Sequence, residues 1–149
     1  DMVTQYGGDH VINYDKENCR GVVKDLTDGK GADVIYDPVG GDVCDLSMRC
    51  INWNGRLLVI GFASGRIAEV KTNLVLLKGC QVVGVYWGDF ANRDVPRNRA
   101  NFATMFDWYE QGKINPHISA HYPFEKTNEA IDFIQSRKST GKVIVQVRD

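Results

Sequence analysis

The sequence predicts an α/β fold built on a mostly parallel sheet, and three observations carry that prediction. Strand-like and helix-like patterns alternate along almost the whole chain. The run Leu57-Leu58-Val59-Ile60 is apolar at every position, as in strands covered on both faces. The stretch Ala32 to Gly65 reads as strand (Ala32 to Asp37), glycine turn (Pro38 to Gly41), short amphipathic helix, second strand (Gly55 to Ile60) and second glycine turn (Gly61 to Gly65). Two strands joined by such a crossover run parallel, so both turns emerge at the carboxyl edge. Open parallel sheets bind their ligands there.

In chain order, His10 to Tyr14 (HVINY) is a β-rich run followed by Asp15, a good N-cap. From Lys16 to Thr27, Cys19, Val22, Val23 and Leu26 share one helical face, and Gly29 supplies the left-handed residue beyond its end. Val34 to Tyr36 belongs to the next strand. Asp42 caps a helix whose Val43, Leu46 and Cys50 share a face, and Gly55 stops it. Thr72 caps a short helix holding Leu74 to Leu77, ended by Gly79. Gln81 to Trp87 (QVVGVYW) is a strand closing on Gly88-Asp89, the third to end in a glycine turn. Asp94 and Pro96 start a helix in which Phe102, Met105, Phe106 and Tyr109 align up to Gly112. Ile118 to Phe124 contains Pro123, which argues for an edge position or a strand end. Thr127 caps a helix with Ala130, Ile131 and Ile134 inward, and Lys142 to Val147 is the last strand.

At 149 residues, 43% apolar and 25% charged, the composition is that of an ordinary globular protein, and one domain is expected. A formal net charge of -1 with scattered basic residues gives no case for nucleic acid or an anionic membrane. No window reaches the ~18 apolar residues of a membrane span, and DMVTQYGG lacks the apolar core of a signal peptide. The four cysteines, Cys19, Cys44, Cys50 and Cys80, form no C-x-x-C pair and read as reduced packing residues in a reducing compartment. The chain opens at Asp1 without a methionine and enters its first strand within ten residues, as a piece of a longer protein would.

No G-x-G-x-x-G is present, since Gly29-Lys30-Gly31 precedes a strand rather than a helix. Either this is not a dinucleotide domain, or the piece starts downstream of that loop. Asp37-Pro38 is similar to the start of an adenine-methyltransferase D-P-P-Y loop, but Val39-Gly40 stand where the stacking aromatic belongs. No G-x-S-x-G elbow occurs, and His10, His117 and His121 have no metal or nucleophile spacing, so no metal ligand is assigned. Each glycine turn alone could be a plain connection. Three at one edge point to a cofactor cleft, because glycine lets backbone approach a ring or phosphate closely. Tyr86-Trp87, at a strand's carboxyl end, is the aromatic pair placed to meet a ligand.

The ordered segments GGDHVINY, GKGADVIYDPVGGD, NGRLLVIGFASG, QVVGVYWG and KSTGKVIV resemble the medium-chain dehydrogenase/reductases, in their zinc-independent quinone oxidoreductase branch. The likeness covers Gly7 to Val147. It implies that residues 1–149 are the C-terminal portion of a Rossmann-type dinucleotide domain, a truncated, mostly parallel sheet with flanking helices that lacks its first strands and glycine fingerprint. It implies the cofactor NADP (NADPH) in preference to NAD, although the serine and lysine used on the 2'-phosphate in relatives would lie upstream. By the same resemblance, Tyr14 is placed beside the adenosine ribose and its 2'-phosphate. Val39 and Gly40 are placed near the nicotinamide ribose. Ile60, Gly61, Phe62 and Ala63, with Val85, Tyr86 and Trp87, are placed along the nicotinamide, and Lys142 near the phosphates.

The implied activity is hydride transfer from NADPH to a quinone or activated alkene without zinc. Placement and water exclusion would then do the work, so no residue here is assigned as catalytic. The fragment alone is expected to be inactive. The implied setting is cytoplasmic, or mitochondrial in a eukaryote, with a small-molecule quinone or enone substrate. The alternative is a non-catalytic association module, a homodimer through the edge strand Gln81 to Trp87. In the family's sheet order HVINY lies beyond the missing strands, so it is expected to be mobile, re-paired or completed by another chain.

Overall fold

The computed structural model describes residues 2–148, and these fall into two compact units, one up to Asp89 and one from Phe90 onward, where a single domain is expected from length. The first unit holds α1 (Met2–Gln5), α2 (Cys19–Leu26), β1 (Ala32–Asp37), α3 (Gly41–Cys50), β2 (Ile51–Val59), α4 (Thr72–Lys78) and β3 (Gln81–Gly84). Helix α5 (Trp87–Arg93) spans the boundary residues. The second unit holds α6 (Val95–Glu110), β4 (Ile118–Pro123), a 3-10 turn (Phe124–Lys126), α7 (Thr127–Gln135) and β5 (Lys142–Gln146).

The strands form two sheets, β1-β2-β3 and β4-β5, and every pairing is parallel. The α/β class with parallel strands and flanking helices is therefore present. In the first sheet the register runs in rows: Ile35 pairs with Leu57 and Leu57 with Val82, while Asp37 pairs with Val59 and Val59 with Gly84.

The core sits on one face of this sheet. Cys44 and Met48 of α3, Ile51 and Leu57 of β2, and Cys80 are buried together, with Ile35, Leu74 and Val75 packed against them. Leu57 is fully enclosed. Helix α3 thus turns Cys44 and Met48 inward, where the periodicity alone favours Val43 and Leu46. The other sheet face is not covered within this unit, for Val34 and Tyr36 are 53% and 66% exposed. The all-apolar β2 is consequently enclosed on one side, and the two-sided covering expected of it is not found.

Other expectations shift at element ends. HVINY forms no strand: residues 10–13 are irregular and Tyr14 begins a turn in which the Lys16 and Glu17 amides donate to the Asn13 carbonyl at 2.9 and 2.8 Å. Among the described residues no neighbouring strand offers this segment a ladder, and an unpaired strand is not stable. The cap of α2 is Asn18, whose side chain accepts from the Gly21 amide, rather than Asp15. Helices α3, α4 and α7 have no side-chain cap, so Asp42, Thr72 and Thr127 do not act as caps. The QVVGVYW strand stops at Gly84, and Trp87 opens α5.

In the second unit α6 begins as expected, with Asp94 accepting from the Arg97 amide at 3.2 Å and Pro96 near its start. Its stripe of Phe102, Met105, Phe106 and Tyr109 stays exposed. Helix α7 buries Ala130 and sets Phe133 against Tyr122, leaving Ile131 and Ile134 half-exposed. Pro123 is the last residue of β4, opposite Gln146 at the end of β5, the strand-end position its missing N–H favours. Among the described residues no helix is long and apolar enough to cross a membrane.

Candidate functional site

Because β1, β2 and β3 are parallel and their last residues share a row, three chain exits stand side by side at the carboxyl edge, after Asp37, Val59 and Gly84. Asp37 fixes the first exit. Its side chain is 4% exposed and accepts hydrogen bonds from the Val39 and Gly40 amides, each at 2.9 Å. An aspartate that satisfies amides two and three residues on closes a tight turn by itself. Gly40 then leaves at φ +69 and caps α3 with backbone alone.

The second exit is tied to the first. The Ile60 amide donates to the Asp37 carbonyl at 3.0 Å, Ala63 to Pro38 at 3.1 Å and Ser64 to Val39 at 3.0 Å. The Phe62 ring lies on Gly40: a Cβ there would stand 2.8 Å from Phe62 Cδ1 and 3.2 Å from the Arg66 carbonyl oxygen. Glycine is therefore required at this point by close approach as well as by φ. Among the described residues the Gly61 and Phe62 amides find no partner, so two backbone donors are free beside the Phe62 ring. The Val85 amide donates to the Val59 carbonyl at 2.9 Å and carries the third exit onward to Tyr86 and Trp87, which are 78% and 60% exposed.

Val39, Gly40, Ile60, Gly61, Phe62 and Ala63 thus come together in one hydrogen-bonded pair of turns, with Val85, Tyr86 and Trp87 following the adjacent strand. Tyr14 lies in its own turn and Lys142 is the first residue of β5 in the second unit, its amide bonded to the His117 carbonyl. Sequence reasoning missed Asp37 as the anchor of the site. The signal was there, an aspartate at a strand end before Pro-x-Gly. It also missed Arg66, which reaches back to Asp42 at 2.6 Å and Asp45 at 3.2 Å on α3 and holds the end of the second turn.

The electrostatics are sparse. Burial first, then the facing Asp37 and Asp45 carboxylates, push the Cys44 thiol above its ordinary value, so it stays neutral at physiological pH. The hydrogen bond to Asp45 raises the Arg66 guanidinium most, loss of hydration opposes it, and Asp42 adds to the rise. Nothing in the paired turns is a free acid or base, for Asp37 is committed to two amides. The arrangement can hold and orient a planar group through glycine backbone, free amides and aromatic faces.

The family described as zinc-binding dehydrogenase matches residues 6–145. The chain is 41% identical over 148 residues to the quinone oxidoreductase-like protein 2 homolog of Nematostella vectensis, covering 99% of this chain and 40% of that protein. It is 39% identical over 147 residues to quinone oxidoreductase-like protein 2 of Mus musculus, covering 99% of this chain and 42% of that protein. A mycobacterial protein solved as its NADPH complex superposes with a TM-score of 0.87 at 24% identity, over 98% of this chain and 46% of that one. The chain therefore spans about two fifths of the length of these curated relatives. Zinc, implied by the family's description, does not fit the residues present: among the described residues no three His, Cys, Asp or Glu converge, and two of the four thiols are held neutral, chiefly by burial. With a family match across nearly its whole length and about two fifths of its residues identical to quinone oxidoreductase-like proteins, this chain belongs to the zinc-binding dehydrogenase family of the medium-chain dehydrogenase/reductase superfamily.

Proposed function

We propose that residues 1–149 are the C-terminal portion of a dinucleotide-binding domain and supply the nicotinamide half of an NADPH site in a zinc-independent reductase of quinones or activated alkenes. One observation carries this reading: three parallel strands end in one row, and two of their exits are bonded into a glycine-backbone surface with free amides and an aromatic face. The names of the similar proteins support the acceptor class, and the NADPH complex of a similarly folded protein supports the cofactor.

NADPH, when bound, supplies the hydride. Val39 and Gly40 would meet the ribose beside the ring. Ile60 to Ala63 and Val85 to Trp87 would hold the ring itself, the Gly61 and Phe62 amides taking its polar substituent. These residues place the ring and keep water away, and no side chain here moves a proton. Tyr14 toward the adenosine ribose and Lys142 toward the phosphates belong to the same proposal.

The test uses the full-length protein, following NADPH oxidation optically with a quinone or an enone as acceptor. Acceptor-dependent oxidation is expected, and absence of turnover with every quinone and enone overturns the assignment. The 149-residue chain alone is expected to be inactive, and tight NADPH binding by it would contradict the view that it holds only half of the site.

A second reading rests on β3, an edge strand whose exposed Val82 and half-buried Val83 carry no charge to block pairing. It is association of two copies through Gln81 to Trp87. Light scattering should show a dimer that Val83→Lys converts to monomer. A wild-type monomer, or a variant of unchanged mass, removes this reading.

A further inference from the structure

Opposite the carboxyl edge, where the strands begin, lies a cavity of about 340 Å³ with an unusual lining: Arg20 and Lys24 of α2, Lys30 before β1, Arg49 at the end of α3 and Lys78 at the end of α4 surround it, with Trp53 of β2 at its side. Among the described residues no carboxylate lines it. Among the described residues none of the five cations makes an ion pair, and the Lys78 ammonium donates only to the Arg49 and Ile51 carbonyls, at 3.4 and 2.7 Å. Asp33 of β1 is occupied by the Asn52 amide at 2.7 Å.

Helix polarity explains part of this. Helices α2, α3 and α4 all end here, and Lys24, Arg49 and Lys78 stand in their last turns, where cations complement exposed carbonyls. Each helix end offsets about half a charge, so three ends leave roughly three and a half of the five positive charges unanswered. Arg20 and Lys30 lie outside those last turns altogether. The field reaches the buried wall: burial and the neighbouring Cys19 push the Cys50 thiol up, while Lys78 and Arg20 pull it the other way. Trp53 is 68% exposed, and its ring lies near Gly79, the left-handed residue closing α4, where a Cβ would meet Trp53 Nε1 at 3.5 Å.

We propose that this cavity is a second ligand site, for a small molecule bearing a polyphosphate, with Arg20, Lys24, Lys30, Arg49 and Lys78 on the phosphates and Trp53 against a planar group. Its volume suits a small molecule. A polyphosphate carries the three to four negative charges that the residual field calls for. The site is on the sheet edge opposite the proposed nicotinamide surface and does not depend on that reading.

Titrating the full-length protein with inorganic triphosphate and, separately, with ATP at low salt tests it, by calorimetry and tryptophan fluorescence. Both probes should bind, ATP more tightly and with a change in emission that Trp53→Phe removes. Lys30→Gln and Arg49→Gln, both exposed, should each weaken binding about tenfold, and added salt should weaken it further. Phe62→Ala, at the carboxyl edge, should leave triphosphate binding unchanged. The proposal is overturned if neither probe binds, if the Lys30 and Arg49 variants keep wild-type affinity, or if Phe62→Ala abolishes binding. ATP binding no tighter than triphosphate overturns the role given to Trp53.

Discussion

Asp37 closes the Val39 and Gly40 amides into a turn from a position 4% exposed, and its removal leaves two donors without an acceptor at a place water does not reach. Asp37→Ala should cost about 3 kcal/mol in urea denaturation, the range for losing a charged acceptor from buried amides. Two glycines separate strain from collision. At Gly65, with φ +79 and open space around a would-be Cβ, alanine should cost about 1 kcal/mol from backbone alone. At Gly40 the same φ penalty is joined by contact with Phe62 and Arg66, so Gly40→Ala should cost more than Gly65→Ala and also weaken NADPH binding by the full-length protein. Cys44 gives a pH dependence. Its folded thiol titrates above the unfolded one, so its contribution is fully present below the unfolded thiol value and is lost as pH rises through the folded value. Stability should fall on the alkaline side more steeply in the wild type than in Cys44→Ala.

Among the elements, β2 carries most of the first unit, since it pairs with both neighbours and contributes the fully enclosed Leu57. Leu57→Ala should cost about 3 kcal/mol, measured as a shift in denaturation midpoint at unchanged slope. The central strands, their parallel sense and their exits were legible in the sequence because apolar runs and glycine turns are local signals. Faces were less legible. Val43 and Leu46 satisfy a helical period as well as Cys44 and Met48 do, and only packing on β2 decides between them. HVINY has the composition of a strand, but a strand exists through its neighbours, and none reaches residues 10–14. Of the site, the glycine turns could be read from sequence, and so could Asp37, which acts on amides two and three residues on, while Arg66 acts across a chain distance that no local pattern encodes.

Over the whole molecule the two units differ in what they bury. The first has a core of five enclosed residues, whereas among the described residues the second encloses only Ala130. Local opening should therefore be cheaper in the second unit. Amide hydrogen exchange on this chain should show the slowest protons in Ile51–Val59 and faster exchange in Lys142–Gln146, and equal protection of the two would contradict this ranking.

The proposed ring-holding surface at the carboxyl edge is made mainly of main-chain atoms, set by the row Asp37, Val59 and Gly84 and by amide-to-carbonyl bonds between turns. Its shape is thus largely independent of the side chains at Ile60, Ala63 and Val85. Those positions are free to vary in size, and so to retune which acceptor fits over the ring, while the geometry that presents the ring stays in place.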